Sequence, residues 1–271
     1  MPIFGMSAHY KLTVEYDGTA FAGFQIQANA RTVQGELEAA LQRLNRNQSV
    51  RLRGAGRTDA GVHAIGQVVD FWLDWHDEDE RLVQALNAIL PHDIAVRDIA
   101  RVPESFHSRY SARSRSYRYT IWNRAVRRPL VARWSLHEPR RLDAEAMHTA
   151  VQMLLGTHDF ASFGRPTQGE STVRHMMRAQ VWRDGDWVYV DLEANAFLYR
   201  MVRRIVGTLL IIGRGQAPPQ WMQEVLTARR PDAAGATAPP HGLCLMAVRY
   251  EEDETEEQGP LTSVGAQESE S

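Results

Sequence analysis

The amino-acid sequence predicts a mixed α/β fold of the α+β kind. Runs with a period of two, which are typical of half-buried strands, alternate with runs whose apolar residues recur at helical spacing. This alternation predicts a sheet covered by helices. The composition, with 44% apolar and 24% charged residues, is ordinary for a globular protein and excludes global disorder.

The first half of the chain is predicted to run strand, helix, strand, strand, helix, strand. Its strands are predicted at residues 10–16, 50–53, 67–73 and 94–102. The first helix follows Thr32, whose side chain is a good N-cap for the apolar, helically spaced residues after it. The second helix is predicted to stop before Pro91, because proline cannot continue a helix.

The second half repeats this order loosely, without a repeat in the sequence itself. Its strands are predicted at 114–122, 176–183, 187–194 and 243–250, and its helices after the capping residue Asp143, at 196–212 and at 218–227. Asp184 and Gly185 predict a hairpin between the second and third of these strands. We place the domain boundary near 103–110, which gives an N-terminal domain of residues 1–105 and a C-terminal domain of residues 106–250.

Charge is distributed unevenly along the chain. Residues 251–271 contain eight acidic residues and no lysine or arginine, so residues 1–250 carry 31 basic and 25 acidic residues, a net +6 in a chain of net −2. This acidic segment has no hydrophobic periodicity and is predicted to be disordered. The single cysteine, Cys244, excludes a disulfide framework. The sequence has neither a signal-like start nor an apolar run of about 18 residues, so we expect a soluble cytoplasmic protein without membrane contact.

Arginines and aromatic residues are concentrated between residues 97 and 133. This segment contains ten arginines and only two acidic residues. The aromatic residues interleaved with them are Phe106, Tyr110, Tyr117, Tyr119 and Trp122. Arginines that contact phosphates, beside rings that stack on bases, are typical of nucleic-acid binding. The alternative is a solvated strand face with the tyrosines in the core.

The segment GAGRTDAGVHA, residues 54–64, contains the densest group of functional candidates. Three glycines permit tight turns or the close approach of another chain, and Arg57, Asp59 and His63 lie among them. The segment lacks the glycine spacing of a dinucleotide fingerprint and the ending of a P-loop. Asp59 could bind the amides of its own turn, ligate a metal, act as a base or attack as a nucleophile.

A nucleophilic carboxylate must be ionised, and a neighbouring guanidinium favours that form. Arg57 is close to Asp59 in sequence, and the helix predicted at 196–212 offers Arg203 and Arg204. Arg200 is predicted to share one face of this helix with those two arginines, opposite the apolar residues. Snorkelling of these arginines at a domain surface is the structural alternative.

The string RLRGAGRTDAGVHAIGQVVDF, residues 51–71, closely resembles the signature of the bacterial tRNA pseudouridine synthase A family. Four other segments resemble this family in the expected order: YDGTAFAGFQIQ (16–27), ALNAILPHDIAV (85–96), FHSRYSARSRSYRYTIWN (106–123) and ANAFLYRMVRRIVGTL (194–209). Together the five segments extend across most of residues 9–250. The sequence departs from the family pattern at Phe24, Ser108, Tyr199, Arg200 and Arg204.

The resemblance implies a role for each matching residue. Asp59 would be the catalytic nucleophile, and Arg203 would pair with it and hold it ionised. Tyr117 would stack on the uracil and take part in catalysis, and Arg57 would bind the substrate and help to flip the nucleotide out of its stack. Further candidates for RNA contact are His63, Gln25, Arg109, Arg113, Arg115, Arg200 and Arg204.

The resemblance also implies an architecture and an activity. The fold would be two similar α/β halves, each like an RNA-recognition-type sheet, which meet at a central catalytic cleft. The enzyme would convert uridine to pseudouridine in the anticodon stem-loop, at tRNA positions 38, 39 and 40. It would act as a homodimer on tRNA, with no metal and no nucleotide or other cofactor. Asp59 could attack C6 of the base, attack C1′ of the sugar or assist elimination at C2′, and the sequence does not choose among these routes.

Two other classes of function are compatible with the same residues. The first is an RNA-binding module without catalysis, whose variants would lose binding rather than turnover. The second is a metal-dependent nuclease or phosphotransferase that uses Asp59. That activity would be stopped by a chelator and would cleave RNA. No dense His/Asp/Glu motif lies near Asp59, which disfavours the second class.

Overall fold

The protein is described by a computed structural model over residues 7–167 and 169–251. The strands are β1 (Ala8–Tyr16), β2 (Arg53–Gly54), β3 (His63–Leu73), β4 (Ile94–Arg101), β5 (Ser114–Trp122), β6 (Leu136–His137), β7 (Gly156–Asp159), β8 (Val173–Asp184), β9 (Trp187–Ala194) and β10 (Leu243–Arg249). The helices are α1 (Val33–Leu44), α2 (Asp79–Ile89), α3 (Ala144–Gln152), α4 (Met201–Gly213) and α5 (Trp221–Ala228). The predicted mixed α/β fold is confirmed.

All these strands join one mixed sheet. Its order is β4-β1-β3-β10-β5-β9-β8-β7, with β2 paired to β3 and β6 paired to β5. The pairs β10–β3 and β5–β6 are parallel, and the other pairs are antiparallel. The last strand, β10, lies between β3 from the first half of the chain and β5 from the second. The two halves therefore share a continuous sheet and a continuous core.

The helices pack against this sheet, and α1 and α3 begin where the sequence predicts. The Thr32 hydroxyl accepts a hydrogen bond from the amide of Gly35, and the Asp143 carboxylate accepts one from the amide of Ala146. Both capping predictions are confirmed. Helix α2 packs on β4, and α3 packs on β8 and α4. The predicted hairpin also forms, with its turn between β8 and β9.

Helix α4 begins at Met201 rather than near residue 196. Arg200 has φ +63°, a left-handed conformation that no α-helix accommodates. Just before it, the amide of Tyr199 donates to the carbonyl of Arg165 at 2.9 Å, which keeps the chain in an isolated bridge. The prediction that Arg200 shares a helical face with Arg203 and Arg204 is therefore wrong, because Arg200 precedes the helix.

A close contact fixes the position of α4 relative to the loop before β10. Gly207 lies in the middle of α4, and a Cβ at this position would overlap the carbonyl of Ala236. Further along the same loop, the amide of Ala238 donates to the carbonyl of Arg203 at 3.0 Å. The absence of a side chain at Gly207 thus lets the loop run directly along the helix.

Two further predictions concern the acidic C-terminal segment and contact with membranes. The acidic segment 251–271, predicted to be disordered, lies outside the described residues except for Glu251. Within residues 7–167 and 169–251, no helix is both long enough and apolar enough to cross a membrane.

We expect Gly207→Ala to destabilise the protein although alanine is the better helix former. The new methyl group meets backbone, which cannot rotate away, and overpacking of this kind costs roughly 1–3 kcal/mol. Urea unfolding measures the effect. Gly213→Ala is the matched control in the same helix, because its methyl group meets mainly the flexible Met147 side chain. Equal stability of Gly207→Ala and wild type would contradict the proposed packing constraint.

Candidate active site

A cleft of ≈ 960 Å³ is lined by residues from both halves of the chain. Its walls include residues 22–27, 52–60 and 196–203. The four residues that the resemblance assigns to catalysis and substrate binding all line it: Arg57, Asp59, Tyr117 and Arg203. A second cavity of ≈ 950 Å³, beside α3, contains none of these four. The fold therefore gathers the expected residues from distant parts of the sequence into one place.

The GRTDAG loop, residues 56–61, is held by side chains and backbone from the strands around it. The hydroxyls of Tyr16 and Thr58 are hydrogen-bonded at 2.8 Å, and the Gln67 amide donates to the carbonyl of Gly56 at 3.0 Å. The amide of Phe24 donates to the carbonyl of Thr58 at 3.1 Å. These bonds hold Asp59, which lies next to Thr58, in a defined position in the cleft.

Gly23 allows the neighbouring segment to come this close. Its φ is +107°, which strains any residue with a side chain, and a Cβ there would lie 2.8 Å from the carbonyl oxygen of Thr58. The next residue, Phe24, is buried, and its ring packs against Gly54 at the end of β2, just before the GRTDAG loop. Phe24 stands where the family pattern has tryptophan.

Asp59 forms an ion pair with Arg203. The guanidinium Nη1 donates to the carboxylate Oδ2 at 2.7 Å, between residues 144 positions apart in sequence. Arg203 Nε donates to the carbonyl of Ala238 at 2.7 Å, so the loop before β10 orients the guanidinium. The side chains of Arg203 and Asp59 are 12% and 22% exposed. Water screens such a partly buried pair less than a surface pair.

The other arginines that the sequence offered to Asp59 have different surroundings. Arg204 donates to the carbonyl of Ser162 at 3.3 Å, away from the cleft lining. Arg57 is exposed in the cleft, on the same loop as Asp59. The arrangement leaves Arg57 facing the space that a substrate would enter.

Tyr117 lies on the cleft floor, on the same face of β5 as Arg115 and Tyr119. Its ring meets Phe197 edge to face at a centroid distance of 5.1 Å. Burial raises the pKa of Tyr117 to about 12, with Arg115 lowering it and Asp59 adding a smaller rise. The phenol is therefore uncharged in the neutral range and can donate a hydrogen bond.

Arg115 is buried within the wall of the cleft. Its guanidinium donates to the carbonyls of Ala112, Asn195, Ala55 and Arg109 at 2.5 to 3.3 Å. Burial lowers the pKa of this guanidinium. Arg115 bridges the two halves, because Ala55 belongs to the first half of the chain and Asn195 to the second.

The arginines of residues 97–133 do not form one exposed face. Arg115 is buried as described, and Arg118 makes a buried two-pronged ion pair with Asp191 at 2.7 and 3.0 Å. Arg97 and Arg101 pair with acidic side chains near β1 and α2. The arginine density of this segment thus reflects internal pairing as well as surface charge.

The remaining RNA-contact candidates divide into two groups. Gln25, Arg109 and Arg200 line the cleft, whereas His63, Arg113 and Arg204 do not. His63 is buried, with Nδ1 accepting from the amide of Gly18 at 3.0 Å and Nε2 facing the carbonyl of Arg133 at 2.9 Å.

Arg113 is exposed and pairs with Glu251.

Sequence reasoning missed Arg174, a cleft residue on β8 that no motif marks, and Phe197, an aromatic residue of the NAF string. Among residues 7–167 and 169–251, no group of three or more His, Cys, Asp or Glu side chains is placed to hold a metal ion.

Comparison with known proteins gives a consistent result. The family model described as tRNA pseudouridine synthase matches residues 12–111 and 150–251. A protein named tRNA pseudouridine synthase A from Anoxybacillus flavithermus is 44% identical, covering 89% of this chain and 98% of that one. A protein of the same name from Halalkalibacterium halodurans is 47% identical, covering 86% and 89%.

A distant similarity is also found to a solved Cbf5-Nop10-Gar1 complex. It has a TM-score of 0.35 and 12% identity, and it covers 90% of this chain and 51% of that chain. The family match and the curated relatives are much stronger. The chain belongs to the tRNA pseudouridine synthase family, and it is accordingly an enzyme of the isomerase class.

The Tyr117 phenol is expected to resist ionisation until strongly alkaline pH. Because its pKa is raised to about 12 by burial, ultraviolet difference titration of wild type against Tyr117→Phe should show no ionisation of this group below about pH 11. Because folding raises this pKa, the group contributes to the free energy of unfolding below pH 10. That contribution is lost as the pH rises through the pKa of Tyr117 in the folded protein. A phenolate signal between pH 9 and 10 would contradict the burial argument.

Proposed function

We propose that the protein converts uridine to pseudouridine in the anticodon stem-loop of tRNA, with Asp59 as the nucleophile. The observation that carries this proposal is the Asp59 carboxylate, ion-paired to Arg203 in an arginine-lined cleft beside the uncharged Tyr117. The names of the 44–47% identical relatives support tRNA as the substrate. The family resemblance supports positions 38, 39 and 40 as the targets.

The chemistry requires no oxidation or reduction. The C1′–N1 bond breaks, the base turns, and a C1′–C5 bond forms, while C5 loses a proton and N1 gains one. The Asp59 carboxylate supplies the electron pair that starts the reaction, and the free carboxylate is regenerated at the end. Arg203 would hold the carboxylate in place, and Tyr117, which lines the same cleft, would stack on the base.

The target nucleotide must leave its stack to reach Asp59. Flipping costs a few kcal/mol, which contacts in the pocket have to offset. The exposed Arg57, which lines the cleft, would bind the substrate and help to flip the nucleotide out of its stack. Arg109 and Arg200 line the same cleft and would contact phosphates, which position RNA without reading its sequence.

The resemblance also supports a homodimer in which one tRNA touches both subunits, working in the cytoplasm. The domain division at residues 105 and 106 is part of the same proposal. Under it, the first domain carries the GRTDAG loop and the second carries Tyr117 and Arg203, so that the active site forms where the two meet.

Tritium release from tRNA labelled at C5 of uridine tests the proposal directly. C5 loses its hydrogen only when the base is rejoined through C5, so release reports isomerisation itself. We expect release by wild type in the presence of EDTA. We expect none by Asp59→Asn, which keeps the shape of the side chain but lacks the nucleophile.

Two controls make this result specific. Asp186→Asn removes a carboxylate in the turn between β8 and β9 that pairs with Arg124 outside the cleft lining, and it should release tritium like wild type. Asp59→Asn should still bind tRNA. No release by wild type from unmodified tRNA, with binding intact, would overturn the proposal in favour of a binding module. Pseudouridine outside the anticodon stem-loop would overturn the assigned target.

A further inference from the structure

A short segment at the mouth of the cleft is fixed although it contains no strand or helix. We call residues 106–111 the platform loop. The amide of Ser108 donates to Asp70 Oδ1 at 2.9 Å, and its hydroxyl donates to the carbonyl of Arg53 at 3.0 Å. The Tyr250 hydroxyl donates to the carbonyl of Ser108 at 2.7 Å. Ser108 is thereby bonded to β2, to β3 and to Tyr250, which directly follows β10.

The anchor under the platform loop is the buried carboxylate of Asp70. This side chain is fully buried in the middle of β3 and also contacts His9 Nε2 at 2.8 Å and the guanidinium of Arg53. Burial alone would raise the pKa of Asp70, but the bonds from Arg53, His9 and Ser108 hold it below its usual value. An ionised, fully bonded anchor of this kind resists displacement.

A second anchor holds the other end of the platform loop. The buried guanidinium of Arg115 donates to the carbonyl of Arg109 at 2.5 Å, and the same group binds Ala55 just before the GRTDAG loop. The platform loop and the GRTDAG loop therefore share one rigid connection. The backbone of the platform loop is thereby held at a defined position relative to the GRTDAG loop.

The platform loop presents an aromatic ring to solvent at the cleft. Tyr110 is 70% exposed, yet it belongs to the cleft lining. Its ring lies beside His107 at a centroid distance of 4.4 Å, and the Arg109 guanidinium lies 5.8 Å from its centre. An exposed ring on a rigid support, flanked by an arginine, is the arrangement on which unpaired bases stack in single-strand-binding proteins.

We propose that Tyr110 is a stacking subsite for an unpaired nucleobase of the substrate RNA, next to the nucleotide that enters the cleft. The inference rests on the proposed function, since it assumes that an RNA loop occupies the cleft. Flipping one nucleotide exposes the face of its neighbour, and the Tyr110 ring covers that face. Asp70 and Arg115 act as positioning residues because they hold the ring in place without touching RNA.

The test compares Tyr110→Ala with Tyr110→Phe. Stacking on an aromatic side chain is worth about 1–3 kcal/mol, so Tyr110→Ala should bind tRNA roughly 5- to 150-fold more weakly. Tyr110→Phe keeps the ring and should bind within about twofold of wild type. The slope of binding against salt should not change in either variant, because no phosphate contact is removed. Binding is measured in the Asp59→Asn background to prevent turnover.

A spectroscopic measurement distinguishes stacking from a purely structural role. A series of tRNA transcripts is made, each carrying 2-aminopurine at a different unpaired position of the anticodon loop. At one position, we expect the Asp59→Asn protein to quench the fluorescence. In the same background, Tyr110→Phe should keep this quenching and Tyr110→Ala should lose it. Equal binding by both Tyr110 variants, or identical quenching at every position, would overturn the inference. A change in the oligomeric state of Tyr110→Ala without RNA would also overturn it, because that change would mark Tyr110 as a contact between subunits.

These outcomes are separate from failure of the proposed function. Wild type is assayed for tritium release beside the variants. If wild type releases tritium and Tyr110→Ala binds and reacts like it, only the stacking subsite is wrong. If wild type releases none, the proposed function fails and so does the inference that rests on it.

Discussion

The ion pair between Asp59 and Arg203 is the interaction on which the rest of the site depends. Its partners come from a loop in the first half of the chain and a helix in the second. They meet because β10 lies between β3 and β5, which brings the two halves into one sheet. The loop along α4 then orients the guanidinium through Ala238, and only a glycine at position 207 permits that approach.

The cleft is lined by both the Asp59 carboxylate and the buried phenol of Tyr117. Asp59 lies beside a guanidinium, whereas Tyr117 is buried and keeps its proton throughout the neutral range. Two groups with different environments can take different parts in one reaction. The charged groups of Arg115 and Asp70 are buried and bonded to protein partners. Arg57, in contrast, is exposed in the cleft and available to a substrate.

Local signals in the sequence predicted most elements of the fold, because strand alternation and helix caps depend on neighbouring residues. Thr32 and Asp143 cap helices as expected, and 114–122 is a strand with the predicted bounds. Signals that depend on distant contacts were missed. The left-handed Arg200 follows from a bridge to Arg165, and the burial of His63 follows from contacts 45 and 70 residues away. The residues alone left three arginines open for Asp59, and only the family resemblance singled out Arg203, which pairs with Asp59 in the structure.

We propose that Arg203, rather than its neighbour Arg204, sets the reactivity of Asp59. The direct measurement is the single-turnover rate on saturating, pre-bound tRNA for Arg203→Gln and Arg204→Gln. Because a hydrogen bond to a charged group is worth about 1.5–3 kcal/mol, we expect Arg203→Gln to slow the reaction by roughly 10- to 150-fold. Arg204 contacts the carbonyl of Ser162, so Arg204→Gln should react at nearly the wild-type rate. Equal rates for the two variants would contradict the account.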